Sequence, residues 1–184
     1  MSVGCCPPGP GVDVGSERSV ETDGRCTSPD TSLRMRVSLF LADAAQPDTQ
    51  SGKVHALGLG WRQCPTPLPP FALVVFLDID WDETNTRHML TCQLLNSDGE
   101  PVTTPGPNGP QRIHFEAAAE AGRLPGSIPG TPVRLPLTVN VPMGIPLEPG
   151  IYEWRVEVAG FEQATAVETF VVIRPPSATP PAAP

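Results

Sequence analysis

The 184-residue sequence lacks several features that assign a chain to a common class of protein. It has no run of about 18 apolar residues, so no transmembrane helix is expected. It has no cluster of lysine and arginine, and its net charge of −8 argues against binding to nucleic-acid phosphates. The N-terminal residues show neither the charged nor the apolar segment of a secretory signal. The sequence therefore predicts a cytoplasmic protein without nucleic-acid or membrane partners.

Cysteine usage excludes two further classes. The chain has five cysteines and no C-x-x-C pair, which argues against a disulfide framework and against a structural zinc site. Cys64 and Cys92 fall within the predicted domain. A disulfide between them is geometrically allowed, but a reducing cytosol favours free thiols with a structural role.

Catalytic motifs are also missing. Neither a G-x-S-x-G nucleophile motif nor a glycine-rich phosphate loop is present. His55, His88 and His114 lie on separate segments without the spacing of metal ligands, so they are expected to be scattered surface residues. We therefore predict a protein that is not an enzyme and has no cofactor.

Proline and glycine are abundant, with 25 and 17 residues, and they separate short apolar runs. Such a pattern is typical of strands joined by turns, and no amphipathic helix interrupts it. The prediction is an all-β fold, an immunoglobulin-like antiparallel β-sandwich of about seven to eight strands with disordered termini. The strand-like segments are Met35–Ala42, Lys53–Arg62, Phe71–Trp81, Arg87–Leu95, Gln111–Ala119, Pro132–Val141, Ile151–Val158 and Ala166–Ile173.

Several segments carry more specific signals. Ile151–Val158 alternates apolar and polar residues most regularly, and Pro136 predicts that the Pro132–Val141 strand lies at a sheet edge or carries a bulge. Asp43–Gly52 is predicted as a polar turn and Cys64–Pro70 as a loop. The alanine-rich stretch FEAAAEAG after Ile113 is predicted to contain a helical turn. No internal repeat of fixed period is visible.

The segment from Glu148 to Trp154 contains a Pro-Gly turn followed two residues later by Tyr152. This arrangement resembles the tyrosine corner of immunoglobulin-like sandwiches, in which the hydroxyl bonds to a backbone group. The alternative is that Tyr152 is an ordinary core aromatic residue.

The domain organisation follows from composition. Residues 1–34 are rich in Gly, Pro, Ser, Thr and acid, and are predicted to be a disordered leader that is dispensable to a domain starting at Met35. Residues 35–174 form the predicted β-sandwich domain. Residues 175–184 are predicted to be an extended Pro/Ala-rich tail.

Five stretches of sequence resemble one protein family: MRVSLFLADAAQ, GKVHALGLGW, PPFALVVFLDIDW, LLNSDGEPV and PLEPGIYEWRVEVAG. Together they are similar to DUF6941, an uncharacterised bacterial domain family, over roughly residues 35–173. The resemblance implies one intact domain and supports a start at Met35. It implies no catalytic residue, because the family has no assigned activity.

Two candidate sites follow from the residues. Asp78 and Asp80 are predicted to share one strand face, and Asp82 adds a carboxylate in the next loop. A Ca²⁺ site uses several oxygen ligands of this kind. The alternative is a strand with its acidic residues turned to solvent. Trp61 and Trp81 fall at strand ends and would form an interface patch if they lay together; the alternative is that they cap opposite ends of the core. The proline-rich loops are further interface candidates. These loops are Cys64–Pro70, Pro105–Pro110 and Leu124–Pro132.

The predicted function is a non-enzymatic protein-interaction or assembly module that binds a protein partner or itself. The alternative is a divalent-metal-binding protein or enzyme with a site around Asp78, Asp80 and Asp82. The first is favoured because no paired catalytic constellation supports the second.

Overall fold

The computed structural model describes residues 35–48, 51–107 and 109–175. The predictions for residues 1–34 and for 176–184 of the tail lie outside this part of the chain. The described residues are all-β, with twelve strands and one short 3₁₀ helix. None of their helices has the length and apolar character needed to cross a membrane. The strands are β1 Arg36–Ala42, β2 Ala44–Asp48, β3 Lys53–Leu57, β4 Gln63–Pro65, β5 Phe71–Ile79, β6 His88–Asn96, β7 Thr103–Gly106, β8 Gly109–Arg112, β9 His114–Ala119, β10 Val133–Val141, β11 Gly150–Val158 and β12 Phe161–Ile173, and the 3₁₀ helix is Trp81–Glu83.

The strands form two larger sheets and two hairpins. The three-stranded sheet has the order β1-β5-β10, and the five-stranded sheet has the order β4-β12-β11-β6-β9. Strands β2 and β3 pair with each other, as do β7 and β8. Pairing is antiparallel throughout, except that β12 and β4 are parallel.

One hydrophobic cluster joins the two larger sheets. Alternate residues of β5, among them Leu73 and Leu77, are fully buried in it, as are Trp154 of β11 and Phe170 of β12. Side chains alternate between the two faces of a strand, and the period-two pattern of the β11 sequence predicts the inward position that Trp154 occupies. Burial of these apolar side chains is the main stabilising contribution to the fold.

A second, smaller cluster lies on the other side of β5. It consists of Ala42, Ala45, Ala72 and Val74, so the β2–β3 hairpin packs against the three-stranded sheet. The amide of Asn140 attaches this hairpin, because its Oδ1 accepts from the Ala45 N–H at 3.2 Å and its Nδ2 donates to the Ala45 carbonyl at 2.8 Å.

The structure has more strands than the seven to eight predicted, because it includes several short strands. The prediction of a polar turn over Asp43–Gly52 was wrong, because β2 lies in it and pairs with β3. The prediction of a loop over Cys64–Pro70 was wrong at its start, where β4 pairs with the end of β12. Strand β4 depends on a partner that is remote in sequence, and β2, with the sequence AAQPD, has weak strand propensity of its own, so the local pattern shows neither strand.

The strand predicted over Gln111–Ala119 is confirmed over His114–Ala119, whereas the helical turn predicted in the alanine-rich stretch after Ile113 was wrong. Residues His114–Ala119 form strand β9, which pairs with β6. The ring of Phe115 stacks on Trp154 with 5.6 Å between centroids, and Ala119 is buried. This packing overrides the helix propensity of the alanines.

His88 is not on the surface, contrary to prediction. It is 3% exposed at the start of β6, and its ring meets that of Phe161 edge-on. Its Nε2 lies 3.0 Å from the Glu83 carbonyl oxygen, which can only accept a hydrogen bond. His88 therefore attaches the 3₁₀ helix to the five-stranded sheet.

Two sequence predictions about single residues are confirmed. Pro136 lies in β10, and β10 is an edge strand of its sheet. The hydroxyl of Tyr152 donates to the Glu148 carbonyl at 2.9 Å while its ring stacks on Phe170. Tyr152 thus makes the backbone hydrogen bond of a tyrosine corner and also packs as a core aromatic residue.

Candidate interaction surface

The carboxylate of Asp78 is engaged by an arginine from the neighbouring strand. Arg134 of β10 donates from Nε to Oδ1 at 2.7 Å and from Nη2 to Oδ2 at 2.9 Å. Arg36 of β1 is more distant, at 3.8 Å. The hydrogen bond from Arg134 holds the pKa of Asp78 below its usual value, although burial acts in the opposite direction. Asp78 therefore acts as an ion-pair partner that connects β5 to β10.

The other predicted metal ligands follow β5. Asp80 directly precedes the 3₁₀ helix and Asp82 lies inside it. Burial raises the pKa of Asp80, and the nearby charges of Asp82 and Glu83 raise it further, against the effect of Arg36. Within the described part of the chain, no group of three or more His, Cys, Asp or Glu side chains is placed to hold a metal ion. The structure does not bring Asp78, Asp80 and Asp82 together as such a group.

The two tryptophans predicted at an interface lie at opposite ends of β5. Trp61 packs edge-on against Phe71, the first residue of β5, with 6.1 Å between centroids, and against Phe170 at 5.7 Å. Trp81 begins the 3₁₀ helix just after the last residue of β5. A nine-residue strand spans about 26 Å, so the two rings form no common patch.

Trp81 contacts an arginine that follows β9. The guanidinium carbon of Arg123 lies 4.3 Å from the centroid of the Trp81 ring. Arg123 also donates from Nη2 to the Trp81 carbonyl at 2.8 Å and from Nε to the Thr84 hydroxyl at 2.7 Å. A planar guanidinium makes these directed bonds and the stacking contact at once, which a lysine ammonium would not do.

Two turns of the same type follow Arg123 directly, over Leu124–Ser127 and Ile128–Thr131. In the first, the Ser127 N–H and hydroxyl both donate to the Leu124 carbonyl, at 3.0 and 2.7 Å. In the second, the N–H and hydroxyl of Thr131 donate to the Ile128 carbonyl, at 3.2 and 2.7 Å. We call this pair of turns the double turn.

Each turn has proline at its second position and glycine at its third. Gly126 and Gly130 have φ of 85° and 82°, as the third position of a type II turn requires. Proline restricts φ at the second position, so both turns are pre-ordered by their own sequence.

The double turn exposes two large apolar side chains and is attached at both ends. Leu124 is 73% exposed and Ile128 is 70% exposed. Arg123 attaches the start of the segment to Trp81, and beyond its end Val133 pairs with Ile79 in the sheet. Both ends therefore lie at the end of β5.

Sequence reasoning included these residues only within the loop Leu124–Pro132 and did not recognise the repeat. The sequence contains LPGS followed directly by IPGT. Each of these two units consists of an apolar residue, Pro, Gly and a hydroxyl residue. The repeated unit is four residues long, far shorter than the roughly 20 to 50 residues of repeat architectures.

The two cysteines of the described region are buried and unpaired. Burial raises the pKa of Cys64 to about 11 and that of Cys92 to about 12. Since the thiolate is the nucleophile, these protonated thiols are unreactive at neutral pH. They contribute apolar volume to the core.

Comparison with known proteins gives a family and a distant structural likeness. No curated protein sequence matches this chain. A solved structure, the CARDB domain of a Pyrococcus furiosus protein in complex with di-metal ions, is similar at 10% identity with a TM-score of 0.38, covering 76% of this chain and 87% of that one. The model of DUF6941, a family of unknown function, matches residues 37–168, and the chain belongs to that family.

Proposed function

We propose that this domain is a non-enzymatic protein-interaction or assembly module, and that it contacts a protein partner through the double turn and the adjoining Trp81. The observation that carries the proposal is the exposure of Leu124 and Ile128 on two consecutive pre-ordered turns. A segment whose backbone is already ordered loses little further backbone entropy when its exposed side chains bind a partner. Single exposed apolar residues are common, so it is their pairing on a fixed backbone that supports binding.

The fold is part of this proposal. We infer that the three-stranded and five-stranded sheets pack as an immunoglobulin-like sandwich. Support comes from the single hydrophobic cluster that contains residues of both sheets, and from the Tyr152 hydroxyl bonded to the backbone at Glu148. A sandwich of this kind presents its loops at its two ends, where they are available to a partner.

A cytoplasmic location is also proposed. It is supported by the free thiols of Cys64 and Cys92, since oxidising compartments favour disulfides. Cell fractionation with an antibody against the full chain would test it, and recovery in a secreted fraction would contradict it.

The main experiment compares two double variants of the full chain. Leu124→Ser with Ile128→Ser removes both exposed apolar side chains of the double turn. Leu57→Ser with Met143→Ser is the matched control, because those residues are 72% and 76% exposed at other places. Circular dichroism should show both variants folded, as all four side chains are at the surface.

Capture from a native lysate and size-exclusion chromatography with light scattering then give the result. We expect a protein retained by the wild type and the control, or a dimer formed by them, to be lost with Leu124→Ser and Ile128→Ser. Equal retention and equal mass for all three proteins would overturn the proposal, as would a strict monomer that captures nothing.

A further inference from the structure

The edges of the two larger sheets differ in how they are protected. The edge strands are β1 and β10 in one sheet and β4 and β9 in the other. Edge strands present unpaired N–H and C=O groups that another strand can bind, and proteins usually block them. Strand β1 packs against β12, β10 has Pro136 at its middle, and β4 is three residues long and ends at Pro65.

Strand β9 has none of these protections. It is six residues long, contains neither proline nor lysine, and pairs on one side with β6. No strand of the described residues pairs with its other side. Half of its backbone N–H and C=O groups are therefore directed away from β6.

The side chains of β9 suit the approach of another strand. Phe115 and Ala119 attach the strand to the core, so its free edge is held in place. On the opposite face Glu116 and Ala118 are exposed, and alanine leaves room for a neighbouring strand. An added strand would extend the five-stranded sheet without moving the domain core.

Charge decides which occupant fits this edge. Glu116 and the following Glu120 are exposed, and neither makes an ion pair with another described residue. Opposite charges across neighbouring strands stabilise a pairing, and like charges destabilise it. If the β9 strands of two copies paired, their Glu116 and Glu120 side chains would repel each other, whereas a segment with lysine or arginine would be attracted.

We propose that β9 binds an extended segment of a partner protein by strand addition, and that this segment carries lysine or arginine beside Glu116 and Glu120. The inference rests on the proposed interaction function, but it concerns the sheet edge and not the double turn. Main-chain hydrogen bonds supply the affinity in such complexes, and side-chain charge supplies the selectivity.

The test titrates the full ¹⁵N-labelled chain with two synthetic nine-residue peptides. One alternates lysine with valine, and the other alternates glutamate with valine. The lysine peptide should shift the amide resonances of residues 114–119 and slow hydrogen exchange of every second amide among them at least threefold. The glutamate peptide should leave both unchanged.

Two charge variants make the test specific. Glu116→Lys with Glu120→Lys should abolish the response to the lysine peptide, whereas Asp98→Lys with Glu148→Lys, which changes the net charge equally at distant exposed sites, should retain it. The inference is overturned if both peptides act alike, if shifts spread without slowed exchange in β9, or if neither peptide binds. If any of these occurs while Leu124→Ser with Ile128→Ser still loses its partner, only the strand-addition inference fails.

Discussion

Arg134 donates two hydrogen bonds to Asp78 through separate nitrogens, at 2.7 and 2.9 Å. The two residues are 56 positions apart and are cross-strand partners in β10 and β5. The pair lies directly beside Val133 and Ile79, where the segment carrying the double turn returns to the sheet. An aspartate that the sequence places in an acidic motif thus attaches an edge strand to its neighbour.

We predict that Arg134→Met lowers the free energy of unfolding by about 1 to 2 kcal/mol at pH 7, because Asp78 is left mostly buried without its donor. The exposure of the Arg134 side chain, 58%, places the effect at the lower end of the range for such losses. Arg36→Met is the control, since Arg36 lies 3.8 Å from Asp78 and is 65% exposed, and it should change stability by less than about 0.5 kcal/mol. Urea denaturation measures both, and equal effects would contradict the assignment.

The same pair predicts a pH dependence. The pKa of Asp78 in the folded protein lies below the unfolded value of 3.8, because of the hydrogen bond from Arg134. The stabilisation is therefore complete above that pH and is lost as the pH falls through the folded pKa. The difference in stability between the wild type and Arg134→Met should shrink when urea denaturation is repeated below pH 3.8. A constant difference would exclude this origin.

The double turn depends on its two glycines. An alanine at Gly126 or Gly130 meets no atom within 4 Å, so only the positive φ opposes it. A left-handed backbone disfavours alanine by about 1 to 2 kcal/mol, so Gly126→Ala should speed hydrogen exchange of the Ser127 amide roughly tenfold. Gly122→Ala is the control, because no positive φ applies there and its nearest contact is an ordinary 3.6 Å. Unchanged exchange in Gly126→Ala would show that the turn is not held by this conformation.

The Tyr152 hydroxyl makes a hydrogen bond that can be removed without disturbing the core. Tyr152→Phe keeps the ring on Phe170 but loses the bond to the Glu148 carbonyl. We expect a loss of about 0.5 to 1.5 kcal/mol in the free energy of unfolding, measured in urea. An unchanged midpoint would mean that water replaces this bond at no cost, and would weaken the comparison with a tyrosine corner.

The metal-binding alternative remains a prediction that calorimetry can decide. A Ca²⁺ site around Asp78, Asp80 and Asp82 would compete with Arg134 for the Asp78 carboxylate. We expect neither Ca²⁺ nor Mg²⁺ at millimolar concentration to release heat or to raise the melting temperature, because hard cations need several free oxygens. A melting temperature that rises with Ca²⁺ in the wild type, and falls back on Asp82→Asn, would favour the metal site.

Local patterns predicted much of the architecture. The alternation in β11 identified its inward face, with Trp154 at its centre, and Pro136 identified an edge strand. These predictions succeeded because strand periodicity and the missing proline N–H act within a few residues. The prediction of a helical turn in the alanine-rich stretch at β9 was wrong for the opposite reason. Its strand conformation depends on Trp154, far along the chain.

Local patterns predicted only part of the candidate surface. The sequence by itself determined the two Pro-Gly turns, because proline and glycine restrict the backbone locally. Only the tertiary structure decided where those turns lie, by placing Arg123 on Trp81 and Arg134 on Asp78. Contacts of this kind join residues 42 and 56 positions apart, and no local pattern specifies which acid meets which arginine. That choice follows from sheet order and strand register, which the whole core fixes together.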